Sequence, residues 1–139
     1  MIRIQEIDHL VLRARDIDAM VRFYCDVLGC RVERRVESLG LVQLRAGRSL
    51  IDLVPVDADP GPAGGARTGI TGRNLDHFCV RVEPFDEADI RRHLLASGVV
   101  AGPLQTRYGA QGDGPSIYLE DPEHNVVELK GPPDAPAGG

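Results

Sequence analysis

One phrase occurs twice in this chain. Ile7-Asp8-His9-Leu10-Val11-Leu12-Arg13 returns as Leu75-Asp76-His77-Phe78-Cys79-Val80-Arg81, with its histidines 68 residues apart, at 9 and 77. In a chain of 139 residues that interval is about half the length. The two phrases are therefore read as the opening strands of two copies of one module, with their histidines as metal ligands.

The residues after each phrase support the repeat. Beyond a strand over residues 6–13, Asp16 is a good helix N-cap. Ile17, Met20, Val21, Tyr24, Val27 and Leu28 then recur at helical spacing up to Gly29, placed as a C′ glycine. Strands are expected over 30–37, 41–45 and 49–55. The second copy opens with a strand over 74–82 and a helix from Asp86 to about Ser97, with Ile90, Leu94 and Leu95 as its apolar face. Gly98 stands where Gly29 stood. A short strand within 99–104, a polar Gly-rich loop over 106–115 and strands over 116–120 and 126–130 complete it.

The spans are a first βαβββ module over 1–56, a flexible linker over 57–72, a second module over 73–130 and a disordered Pro/Gly tail over 131–139. The fold class is α+β, with mixed sheets curved around a metal-binding cleft and helices outside.

The closing strands match as well. Ser49-Leu50-Ile51-Asp52-Leu53 aligns with Asn125-Val126-Val127-Glu128-Leu129, so each module opens with a histidine and closes with an acid. Alternate side chains of a strand face opposite sides. Leu10 and Leu12 oppose His9, Val11 and Arg13, and Phe78 and Val80 oppose His77, Cys79 and Arg81. Ile51 and Leu53 oppose Asp52, and Val127 and Leu129 oppose Glu128 and Lys130. The apolar faces cover the helices. The polar faces carry two imidazoles and two carboxylates at equivalent places, a donor set for an open divalent-metal site. His93 and His124 have no repeat partners and read as solvated.

Composition narrows the function. A net charge of −5 argues against nucleic acid as partner. No run approaches membrane-spanning length, and the opening residues lack the apolar core of a signal peptide. The three cysteines have no metal spacing and read as free thiols in a reducing, cytoplasmic setting.

The paired modules, the opening Asp-His strand, the helix Ala19-Met20-Val21-Arg22-Phe23-Tyr24-Cys25-Asp26-Val27-Leu28-Gly29 and the closing Tyr118-Leu119-Glu120-Asp121-Pro122-Glu123-His124-Asn125-Val126-Val127-Glu128-Leu129 resemble the vicinal oxygen chelate superfamily. That group includes glyoxalase I, extradiol dioxygenases, fosfomycin-resistance transferases and bleomycin-binding proteins. The resemblance implies that His9, His77 and Glu128 are ligands of a divalent ion (Zn, Ni, Mn or Fe). Asp52 matches the position of a Glu ligand in glyoxalase I and is one methylene shorter. Arg13 resembles an arginine that bacterial glyoxalase I turns toward glutathione. His124 replaces the family's common Gly in its turn. The resemblance also implies a homodimer and a small substrate, anionic or a thiol adduct.

Three functions are expected in turn. The first is a glyoxalase-like lyase or isomerase, in which a metal stabilises the enediolate of a substrate with vicinal oxygens. Glu128 and Asp52 are its candidate bases, and Arg13, Arg45, Arg81 and Tyr118 its substrate-binding residues. The second is another metalloenzyme on the same frame, a dioxygenase or a thiol transferase of the fosfomycin-resistance type. The third is a metal-free binding or resistance protein.

Overall fold

A computed structural model describes Met1, Arg3 and residues 5–57 and 75–134. The chain divides into two compact units, Met1–Arg73 and Asn74–Gly139.

The first unit runs β1 (His9–Ala14), α1 (Ile17–Arg22), β2 (Arg31–Val36), β3 (Leu41–Ala46) and β4 (Ser49–Pro55). Its sheet has the order β1-β4-β3-β2. β1 is parallel to β4, and the other pairs are antiparallel. The Asp16 carboxylate accepts from the Ala19 amide at 2.9 Å and starts the helix as its residue type predicts. The single helix expected up to Leu28 is instead α1 followed by a π-helical turn over Phe23–Val27. The wider turn buries two successive rings, Phe23 and Tyr24, which meet edge to face at 5.1 Å. With Met20 they join the buried Leu12, Ala14, Val42, Leu44, Ile51 and Leu53. Leu12, Ile51 and Leu53 belong to the alternating set that the sequence marks as apolar, and Leu10 of that set is only half-buried.

The second unit repeats the order with β5 (Phe78–Arg81), α2 (Glu87–Ala96), β6 (Gln105–Gly109), β7 (Gly112–Glu120) and β8 (Val126–Lys130). Its sheet order is β5-β8-β7-β6, again with one parallel pair, β5 and β8. Asp86 caps α2 by accepting from the Asp89 amide at 3.0 Å. Leu94 buries with Ile117, Leu119, Val127 and Leu129, whereas Leu95 is exposed and leaves the expected apolar face. Asp121 accepts from the Glu123 and Asn125 amides and forms the β7–β8 turn. His124 there has φ +67°, in the left-handed region that suits glycine.

The stretch expected as a Gly-rich loop over 106–115 is a β-hairpin, and β6 lies at Gln105–Gly109 rather than within 99–104. The physical reason is Lys130. A Cβ on Gly109 would stand 2.5 Å from Lys130 Cε, and one on Gly114 2.8 Å from Nζ. These glycines give the hairpin room to lie against the lysine. The residues beyond β8 begin in order, with the Gly131 amide donating to Pro115 and that of Asp134 to Asp113. Apart from residue 57, the expected linker lies outside the described residues, as do residues 135–139 of the expected tail.

Candidate functional site

The register of each sheet sets the opening histidine beside the closing acid. In the first unit His9 lies opposite Leu50 and Val11 opposite Asp52. In the second, Phe78 lies opposite Val127 and Cys79 opposite Glu128, with His77 just before the strand. Both acids thus stand one pleat beyond the histidine, on the adjacent parallel strand and the same face. The third strand matches too. Gln43 pairs with Asp52, and Tyr118 with Glu128.

Each histidine is held by the aspartate before it. His9 Nδ1 lies 2.7 Å from Asp8, and His77 Nδ1 2.7 Å from Asp76. A carboxylate on Nδ1 favours the tautomer that protonates it and leaves Nε2 free to bind elsewhere. The Asp8 hydrogen bond raises the His9 pKa above its ordinary value against desolvation, with help from the charge of Asp52.

The two acids are held differently. Asp52 is buried, and its Oδ2 accepts from Gln43 Nε2 at 3.0 Å. Gln43 in turn accepts from Arg34. Asp52 Oδ1 is buried with no hydrogen-bond partner among the described residues. Glu128, also buried, accepts from Ser116 Oγ at 2.7 Å and lies 3.3 Å from His77 Nε2. Burial pushes its carboxyl up. The Ser116 and Tyr118 hydroxyls, the charge of His77 and the Cys79 thiol outweigh that and hold it below the ordinary carboxylate value. The Tyr118 ring meets His77 edge to face at 5.5 Å. Burial and the neighbouring Glu128 push the Cys79 thiol up to about 11, so Cys79 is a thiol at neutral pH.

Within the second unit, the His77–Glu128 pair has the spacing of two ligands of one divalent cation. Two ligands each about 2.1 Å from a tetrahedral ion stand roughly 3.4 Å apart, close to the 3.3 Å between His77 Nε2 and Glu128 Oε1. The orphaned Asp52 oxygen is a further buried acceptor. Among the described residues, no group of three or more His, Cys, Asp and Glu side chains is gathered to hold a metal. The structure brings together one histidine–acid pair in each unit.

The expected substrate-binding residues differ in how they are held. Arg13 lies on the His9 face of β1, opposite Val54. Arg45 is held by Glu33 at 3.3 Å and by the Arg48 carbonyl. Arg81 donates to Gln111 at 2.7 Å and Glu83 at 3.1 Å. Sequence reasoning gave no role to Asp8, Asp76, Gln43 or Ser116. The repeated Asp-His phrase carried the signal for the first two. No local pattern marked the others, whose roles depend on strand register.

Comparison with known proteins gives the family and the fold. The model of the glyoxalase/bleomycin resistance protein/dioxygenase superfamily matches residues 6–129. Virulence protein STM3117 of Salmonella typhimurium is 29% identical over 133 residues, covering 91% of this chain and 83% of that protein. VPC_CASS1, from the mobile metagenome of V. Pseudocholerae, superposes with a TM-score of 0.79 at 28% identity, covering 96% of this chain and 99% of its own. Lactoylglutathione lyase from Agrobacterium tumefaciens superposes with a TM-score of 0.62 at 25% identity, covering 91% and 92%.

Proposed function

The chain belongs to the glyoxalase/bleomycin resistance protein/dioxygenase superfamily, and from that premise we propose that it is a divalent-metal-dependent lyase or isomerase of glyoxalase type. One observation carries the reading. In both units a histidine braced at Nδ1 by an aspartate lies beside an acid one pleat ahead on the adjacent strand. The likeness to a lactoylglutathione lyase supports it.

His9, His77 and Glu128 hold the ion in this reading. The ion supplies Lewis-acid stabilisation of charge developing on two vicinal oxygens of a small substrate. Asp8 and Asp76 fix the imidazole tautomers. Ser116 and Tyr118 keep Glu128 ionised and oriented. That commitment, with its lowered pKa, makes Glu128 a better ligand than base. Asp52 is the base: Gln43 holds Oδ2 still, and Oδ1 takes the proton from the substrate carbon and returns it to the neighbouring carbon. Tyr118 and Arg13 line the substrate. The protein acts as a homodimer, which sedimentation at micromolar concentration checks.

The test is turnover of the adduct of methylglyoxal and glutathione. Wild-type protein turns it over and loses the activity to chelator. Asp52→Asn lowers kcat by roughly 10²–10⁴-fold while its metal content stays at the wild-type level. Absence of turnover by metal-loaded protein, or full activity in Asp52→Asn, contradicts the reading.

A further inference from the structure

The structure assigns the second unit an anion-binding site built on Lys130, for a ligand carrying a carboxylate or phosphate group. Lys130 is the chain's only lysine. It is 3% exposed, and its Nζ is buried without a hydrogen-bond partner among the described residues. Lysine is almost never fully buried unless paired, because desolvating an ammonium is heavily penalised.

The placement is built rather than incidental. Gly109 and Gly114 keep a trench open for the stem and ammonium, since a Cβ on either would stand 2.5 Å from Cε or 2.8 Å from Nζ. The Gly131 and Pro132 carbonyls border the trench at Gly114, yet neither accepts from Nζ. Glu128, two residues earlier on the same strand and face, is engaged by Ser116.

Of the two flanking positions Arg81 is the donor, since the Ser116 hydroxyl proton is already given to Glu128. Lys130 lies opposite Arg81 on one side and Ser116 on the other. Two cations directly opposed on neighbouring strands repel. An oxyanion between them removes that repulsion and gains charge-assisted hydrogen bonds.

Arg81 also closes the site. Its Nη1 donates to the Glu83 carboxylate at 3.1 Å and to Gln111 at the turn of the β6–β7 hairpin, the hairpin that covers Lys130. An oxyanion outcompetes a neutral amide for the guanidinium. Its arrival at Arg81 releases Gln111, frees the hairpin tip and opens the way to Nζ. The site needs no metal, so it stands or falls apart from the function proposed above.

The test is calorimetric titration of the full chain, in EDTA and at ionic strength held with chloride, with inorganic phosphate and separately with acetate. Wild-type protein binds at least one of them saturably, and which one it prefers identifies the group. Lys130→Met weakens binding at least tenfold, and Gln111→Ala tightens it severalfold by removing the latch. Without added anion, Lys130→Met melts about 2–5 °C above wild type, because an apolar side chain of similar length replaces an unpaired buried charge. That rise shows the binding loss is not misfolding. Three results overturn the proposal: neither anion saturates wild-type protein, Lys130→Met binds as wild type does, or Lys130→Met melts lower.

Discussion

The Asp-His dipeptide does more than its sequence pattern suggests. In a regular strand neighbouring side chains face opposite ways, which would part Asp8 from His9. β1 begins only at His9 and β5 only after His77, so each aspartate precedes its strand and reaches back to its own imidazole. The histidines were legible because they repeat. Their supports were not, because alternation predicts the opposite arrangement. Replacing Asp8 with Asn should move the His9 titration down toward 6.5, read by NMR, since the Asp8 hydrogen bond is the main cause raising it. The sign is that of a raised histidine: the stability from this contact is full below 6.5 and is lost as pH rises through the higher folded value. Glu128 behaves the opposite way. Its folded pKa lies below 4.5, so its contribution is present above 4.5 and is lost as pH falls through the depressed value. Ser116→Ala should cost about 1–3 kcal/mol at neutral pH by leaving a buried carboxylate oxygen short of a donor. In urea unfolding that deficit narrows as pH falls through the depressed value, where the carboxyl takes up protons.

At the scale of elements, caps and apolar periods were legible. Asp16 and Asp86 cap the helices that their positions predict, and Leu12, Ile51, Leu53, Val127 and Leu129 bury as expected, whereas Leu10 is only half-buried and the opposing Asp52, Glu128 and Lys130 bury too. The β6–β7 hairpin was not. Gly109, Gly112, Gly114 and Pro115 read as loop formers, and only the tertiary contact with Lys130 shows why a strand needs glycines there. The two trench glycines should respond differently to alanine. At Gly109 the new methyl meets a flexible stem that can shift. At Gly114 it meets the Pro132 and Gly131 carbonyls as well as Nζ. Gly114→Ala should therefore destabilise by about 1–3 kcal/mol, and Gly109→Ala by less, in thermal or denaturant unfolding. Equal costs would mean that the backbone beyond β8 does not press on the hairpin.

For the whole molecule, the internal repeat was the strongest signal. It implied two βαβββ modules, and both sheets show the same strand order with one parallel pair each. It also matched Asp52 with Glu128, and the common one-pleat offset makes the match physical. What the repeat concealed is how the two acids differ. Glu128 is held by Ser116 beside His77, and Asp52 Oδ1 is buried with no hydrogen-bond partner among the described residues, a distinction set by Ser116 and Gln43 on neighbouring strands. No described helix is long and apolar enough to cross a membrane. The proposed role of the repeated histidine–acid pairs is to serve a divalent ion. Metal analysis of chelator-free protein, with melting measured before and after EDTA, tests it most directly. The account predicts about one divalent ion per chain, a fall in Tm with EDTA, and loss of the ion in His77→Ala. Wild-type protein that carries no divalent ion, with a Tm unmoved by EDTA, would contradict it.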